Sequence, residues 1–457
     1  MNFILIISDT FRRDHLGCYG NPWIHTPHLD RLAERSIVFD RYYAASFPTV
    51  PNRADVLTGR YNFTYLGWQP LPRSEITLPQ ILSAAGYSTM GIADTPFYMR
   101  NGYGYDRGFA DFDFVRGQLY WAPAREDVIY GRRYEMDYFS PTTMAKAEQW
   151  LERHYKERFF LLIDTWDPHE PWDPPDYYAA LYPGYDGQPA HWPCYWDWEE
   201  AGLAEKDVKR AHAAYCGEIT MVDRWVGRLL ERVESLGLME DTTIIFTSDH
   251  GHYFGEHGLF GKAMQKDEHG FNTDTFAPGQ WYRSPLFDEL TRVPLLISLP
   301  QRDPTRIDAL VTPPDLMPTI LELAGVEVPE VVQGFSLVPL LHRDLERVRD
   351  FVVTSWPLYN PGQKIRVVDD NERGVVEPLP SAITDGEWTL HYAIEGDPVE
   401  LYHTASDPGQ LENTFRKNES IAKDLHARFV EFLESMGTED GRIAPRRRLL
   451  KRQHLQS

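Results

Sequence analysis

The sequence predicts an α/β fold: a mainly parallel sheet flanked by helices, with a smaller C-terminal α+β subdomain of antiparallel sheet plus helix. Three observations carry this. Asn2–Ile7 is a continuous apolar run, the pattern of a strand buried on both faces of a parallel sheet. Comparable runs at Ser88–Ala93, Phe159–Ile163 and Thr242–Thr247 alternate with helical periodicity, as βα units do. Beyond about residue 345 the runs shorten, and the turn Asp385-Gly386 separates two of them. At 457 residues the chain is long for one compact domain. We therefore expect a large domain over 1–345, the subdomain over 346–440 and a basic tail over 441–457.

Taken in order, the first strand ends in Asp9-Thr10, and Pro27–Ala33 reads as an amphipathic helix. Ser46–Arg60 follows, SFPTVPNRADVLTGR, with a hydroxyl, a proline and an arginine ahead of a helix. A helix over Leu78–Ala85, stopped by Gly86, precedes the strand Ser88–Ala93. Residues 96–140 have weak periodicity and read as loops that wall a pocket. A helix over Thr142–Tyr155 leads to the strand Phe159–Ile163 and to Asp167-Pro168-His169-Glu170-Pro171-Trp172. The segment holding Trp192, Trp196 and Trp198 reads as an aromatic lid or as a packed loop. Asp207–Leu236 reads as one long helix ended by Gly237, before the strand Thr242–Thr247 delivers Ser248-Asp249-His250-Gly251. A core strand at Arg292–Ile297 and a capped helix from Pro314 to Ala324 complete the large domain. Short strands at Phe351–Ser355, Ser381–Thr384 and Glu387–Tyr392, then a helix over Ser420–Ser435, make the subdomain.

Net charge −22 disfavours nucleic acid and anionic membranes as general partners. An anionic substrate then needs a local cationic pocket. No apolar run approaches the roughly 20 residues that span a bilayer. No signal peptide is read at the N-terminus. The three cysteines, Cys18, Cys194 and Cys216, form no CxxC, which fits a reducing, cytoplasmic setting. The basic residues of the tail, Arg446-Arg447-Arg448 and Lys451-Arg452, suggest a homo-oligomer docked through that arm on so acidic a protein.

In open α/β sheets ligands collect at the carboxyl ends of strands. Asp9 stands at one such end, as a metal ligand or a helix N-cap. Asp249 and His250 stand at another, in a turn that Gly251 permits, where both can reach one cation. Thr49 and Arg53, four residues apart, lie on one side of a nascent helix whose free N–H groups attract anions. The other reading of that stretch is a proline-punctuated turn capped by Thr49. His169, between prolines at a strand end, and Lys262 add cationic character. Together these residues suit a divalent cation held mostly by oxygen, and displacement at phosphorus or sulfur.

The motifs resemble, in order, those of the sulfatase branch of the alkaline phosphatase superfamily. The resemblance runs through Ile7-Ser8-Asp9-Thr10, Asp14-His15-Leu16-Gly17-Cys18-Tyr19-Gly20, Thr49-Val50-Pro51-Asn52-Arg53 with Leu57-Thr58-Gly59-Arg60, and Asp167–Trp172. It continues through Thr247–Gly251, Gly255-Glu256-His257-Gly258, Lys262, Thr291–Leu295 and Asp315–Thr319. It implies an alkaline-phosphatase-like fold with a four-stranded C-terminal subdomain. It also implies metal ligands at Asp9, Asp249 and His250, with Thr49 as nucleophile and ligand, and anion contacts from Arg53, His169 and Lys262.

Three departures qualify what the resemblance implies. Thr49 stands where the family has the Cys or Ser that becomes formylglycine. Asp9-Thr10 stands where many sulfatases have two consecutive Asp, which leaves room for Mn or Zn as well as Ca. Gly91–Pro96 replaces the family's Gly-Lys-Trp-His element, making Thr95 the candidate substrate contact there. We expect one divalent metal ion (Mn, Zn or Ca) and a small anionic ester substrate. The expected activity is hydrolysis of a phosphodiester or phosphonate monoester through Thr49. Sulfatase activity without formylglycine is the alternative, and a non-catalytic binder of sulfated or phosphorylated ligands the third reading.

Overall fold

A computed structural model describes residues 1–95, 102–115, 134–267, 270–271, 280–366, 372–394 and 397–449. Its centre is an eight-stranded sheet. In chain order the strands are β1 (Asn2–Ser8), β2 (Ile37–Tyr42), β3 (Ser88–Ala93), β4 (Asp111–Phe114), β5 (Phe159–Thr165), β6 (Thr242–Thr247), β7 (Leu295–Ser298) and β8 (Thr305–Val311). Their spatial order is β8-β2-β7-β6-β1-β5-β3-β4. All neighbours are parallel except β7, which runs antiparallel to β6 and β2.

The first strand shows why the sheet must be covered twice. Phe3, Leu5 and Ile7 join one apolar cluster with the helices α2 (Thr49–Thr58), α3 (Leu78–Ala84) and, further along the chain, Leu316–Leu323. Ile4 and Ile6 join the other, under the helices α4 (Phe139–His154) and α5 (Glu205–Ser235) and beside α1 (Pro27–Ala33). Side chains two apart share a face, so an unbroken apolar run feeds both cores at once.

Two strands of this sheet, β2 and β8, have no counterpart in the reading of the sequence, and β4 falls within residues expected to be loops. Residues 96–101 and 116–133 of that expected loop lie outside the described residues. Trp196–Asp197 is a short strand paired with Leu259–Gly261, and the Lys266 ammonium sits 3.6 Å from the Trp196 ring. The Trp-rich segment is thus packed against the stretch that carries Lys262.

The C-terminal part holds a four-stranded antiparallel sheet, β9 (Val352–Ser355), β10 (Ser381–Thr384), β11 (Thr389–Tyr392) and β12 (Glu400–Tyr402), covered by a helix at Glu419–Ser435. Its edge strand β9 docks on Ala44–Phe47, the approach to Thr49. Ser355 N–H donates to Ala45 O at 2.8 Å, and Phe47 N–H donates to Ser355 O at 2.9 Å. Phe47 packs edge-on against Trp356 at 4.7 Å. Of the basic tail, Arg446 is buried and donates to the carbonyls of Tyr359 and Arg442, while Arg447 pairs with Glu434 and Asp440. Lys451 and Arg452 lie outside the described residues.

Candidate active site

Helix α2 begins at Thr49, with Pro48 before it. Pro51 falls in the first turn, where a missing N–H costs no helical bond. Gly59, at φ +66°, closes the helix in the left-handed region that glycine adopts without strain. The whole helix is buried. Asp55 ties it down by accepting from Ser46 N–H, Ser46 Oγ–H and Asn62 N–H, each at 2.7 Å. Burial pushes the Asp55 carboxyl up to about 8.

The parallel register then assembles the centre. The carboxyl ends of β1, β5 and β6 deliver Asp9, Asp164 and Asp249 side by side, and each is fully buried. Thr49 Oγ1 lies 3.2 Å from His250 Nε2. His250 Nδ1–H donates to Gly251 O at 2.9 Å, which leaves Nε2 as the lone-pair nitrogen. Burial holds His250 down to about 3, so its imidazole is neutral and able to ligate a metal.

Asp9, Asp249 and His250 each bring one ligand atom to within 4.8 Å of the others. Asp9 Oδ2 is buried and accepts no hydrogen bond among the described residues. Burial and the facing Asp249 push Asp9 well above the usual carboxylate range. Burial also opposes ionisation of Asp249, but the Arg53 guanidinium outweighs it and holds that group low. Two carboxylates sharing so little proton-free space, with a neutral imidazole beside them, form a donor set that a divalent cation fits. Thr10, at φ +61°, donates Oγ1–H to Asp9 Oδ1 at 2.7 Å and N–H to Asp249 Oδ1 at 2.9 Å. A β-branched residue in that region stores about 1–3 kcal/mol of strain, which this network offsets.

Arg53 reaches the same carboxylates. It donates to both oxygens of Asp164 at 3.1 and 2.8 Å, donates to Asp249, and lies 3.2 Å from Asp9 Oδ2. On the other side, Lys262 donates to His169 Nε2 and sits 3.6 Å from Glu170 Oε1. His169 stacks on Trp166 at 3.7 Å and donates Nδ1–H to Glu170 O at 2.7 Å. Burial and Lys262 push His169 well below its usual range, leaving it neutral beside the ammonium. The Lys262 charge also acts on Asp9 and His250, so the two halves share one field. Thr95 is buried at the end of β3, and its hydroxyl bonds to no described residue.

Four groups here were missed in the sequence. Asp164 carried a usable signal, the end of an apolar strand, the same context that marked Asp9. Glu170 lies next to His169; burial raises its carboxyl against the pull of Lys262, and it accepts from Tyr195 Oη–H. His252 Nε2 faces it at 3.8 Å. Nothing in the spacing of Tyr195 or His252 distinguishes them.

Gly251 has a packing reason to be glycine. A Cβ there would lie 1.9 Å from the Glu289 carbonyl oxygen. Gly251→Ala is expected to cost about 1–3 kcal/mol in urea unfolding and to weaken metal binding by moving His250. Wild-type stability and metal affinity in that variant would contradict this.

The family model for sulfatases matches residues 1–326, and that for the C-terminal part of N-sulphoglucosamine sulphohydrolase matches residues 279–435. An ulvan-active sulfatase of Formosa agariphila is 27% identical over 96% of this chain and 82% of its own length. A multifunctional alkaline phosphatase superfamily protein of Trinickia caryophylli, PehA, is 27% identical over 74% of this chain and 77% of its own. The phosphonate monoester hydrolase of Agrobacterium radiobacter shares the fold with a TM-score of 0.70 and 20% identity, covering 95% of each chain. The chain belongs to the sulfatase family of the alkaline phosphatase superfamily and is an ester hydrolase.

Proposed function

We propose that this enzyme hydrolyses phosphodiesters or phosphonate monoesters, with Thr49 as the nucleophile. One observation carries the reading: an unmodified hydroxyl at the buried start of α2, 3.2 Å from His250 Nε2, beside the donor set Asp9, Asp249 and His250. Thr Cβ already bears a methyl group, so its oxidation would give a ketone and never the aldehyde that formylglycine requires. A Thr49 ester must therefore be released by attack of water on phosphorus.

Thr49 Oγ forms the bond to phosphorus as the leaving oxygen departs, and water then displaces Thr49. Lys262, hydrogen-bonded to His169, is the proton source for the leaving oxygen and a counter-charge for the anion. Arg53 holds Asp9, Asp164 and Asp249 in place at the base of the site. One divalent ion, Mn, Zn or Ca, would be held by Asp9, Asp249 and His250, where it lowers the hydroxyl pKa and stabilises developing negative charge. The unpaired Cys18, Cys194 and Cys216 support a reducing, cytoplasmic setting. The acidic net charge disfavours nucleic acid as substrate.

Sulfate ester hydrolysis is the second reading. It is favoured by the sulfatase names of relatives such as the ulvan-active enzyme. The deciding measurement is kcat/KM on matched p-nitrophenyl sulfate, phosphate, phosphodiester and phenylphosphonate with added Mn, Zn or Ca. A preference of ~100-fold (about 2.7 kcal/mol) for the diester or phosphonate is expected. The same preference for sulfate would overturn the reading. Chelation should abolish turnover and lower Tm, because a ligand of the native state stabilises it by mass action.

A further inference from the structure

We propose that His15, His212 and Cys216 form a second metal site, built for a zinc-class cation. His212 and Cys216 are four residues apart on α5 and so share one helix face. His15 comes to them from a short turn, Arg13–His15, after β1. The three ligand atoms all lie within 4.8 Å of one another.

Chemistry and geometry agree with that assignment. Two imidazoles and a thiol suit zinc, cobalt or copper(I) and disfavour magnesium or calcium. Cys216 Sγ lies 3.6 Å from His212 Nε2. Tetrahedral zinc, with bonds of about 2.3 Å to sulfur and about 2.0–2.1 Å to nitrogen, sets the same separation at about 3.6 Å. His15 Nε2 and His212 Nε2 are 2.8 Å apart, roughly half an ångström closer than such a site needs. A small rotation of the half-buried His212 ring opens that gap.

The surroundings are arranged as they are around metal-binding histidines. Asp14 Oδ1 accepts from His15 Nδ1–H at 2.9 Å, which leaves Nε2 with its lone pair facing His212. Asp14 is itself gripped by Arg12 through two bonds of 2.9 and 2.6 Å. The Trp23 ring stands edge-on to both histidines, at 5.4 and 5.8 Å. Binding releases one proton: the Cys216 thiol loses it as the sulfur–metal bond forms. His212 passes its Nε2 proton to solvent and takes one up at Nδ1, so both rings stay neutral. A fourth position remains for water.

The site braces the catalytic turn. Tyr215, beside Cys216 on α5, accepts from Arg12 N–H at 2.9 Å and donates to Thr10 O at 2.8 Å, next to Asp9.

Cobalt(II) titration of the full chain, freed of metal by chelation and kept reduced, tests this. The carboxylate site has no sulfur, so a thiolate-to-cobalt charge-transfer band reports the second site alone. We expect that band with intense tetrahedral d–d bands, saturating by two equivalents of cobalt per chain, when both sites are filled, and bleached by excess Zn2+. C216A should lose it, while C18S and C194S keep it. Absence of the band in the wild-type chain, or its survival in C216A, would overturn the assignment. The three side chains would then be a buried imidazole pair beside an inert thiol. The wild-type titration decides even where a variant fails to fold.

Discussion

Thr49→Ala is expected to lower kcat/KM on the preferred ester by at least about 10³-fold, roughly 4 kcal/mol of transition-state stabilisation. In the proposed mechanism the change removes the atom that forms the covalent ester with phosphorus. It should leave the fold and the bound metal largely in place. Among the described residues the Thr49 hydroxyl makes one hydrogen bond, the 3.2 Å approach to His250 Nε2, so unfolding stability should fall by only about 1 kcal/mol. Thr49→Ser should keep most of the activity, because the hydroxyl stays at the same helix position. The measurements are steady-state kinetics, metal content and urea unfolding on the three proteins side by side. Retention of activity within tenfold in Thr49→Ala would remove Thr49 from the mechanism.

Arg53→Met carries the largest expected effect on stability. The Arg53 guanidinium is 1% exposed and bound to Asp164 and Asp249, with Asp9 3.2 Å away. Methionine fills much of the volume but brings no charge, leaving three buried carboxylates without the Arg53 counter-ion. Removing one partner from such a cluster costs about 3–5 kcal/mol, because the remaining charges stay desolvated and repel. We expect a loss of that size in urea unfolding with chelator present. Saturating divalent metal should recover part of it, since a bound cation neutralises Asp9 and Asp249. A variant within about 1 kcal/mol of wild type in chelator would mean that the carboxylates do not depend on Arg53.

The site was partly legible before folding because its residues sit at places with strong local patterns. Asp9 and Asp249-His250 end apolar strands, and Thr49 begins a helix that Gly59 ends; each position follows from a run of a few residues. The Phe3/Leu5/Ile7 and Ile4/Ile6 division of β1 between two cores was likewise implicit in an unbroken apolar strand. Other parts had no local pattern. Strand β2 reads IVFDRY, a mixture that neither alternates nor stays apolar, and only its neighbours β7 and β8 make it a strand. Asp164 became a partner of Arg53 across 111 residues, through the parallel register that sets Ile7 opposite Asp164.

By itself the sequence determined the α/β class, the order of most elements and the hydroxyl at position 49, and it pointed to Asp9, Asp249 and His250 as a candidate donor set. These depend on side-chain type and on periodicities of two and 3.6, which are local properties of the chain. Only the tertiary structure decided which polar groups meet: Arg53 with three carboxylates, Lys262 with His169 and Glu170, His15 with His212 and Cys216. It also decided that β9, some three hundred residues downstream, clamps the approach to Thr49. The physical reason is that buried charges and unpaired backbone groups must find partners wherever the sheet order brings them. Sheet order is set by packing between segments far apart in the chain, and no local run of residues records it.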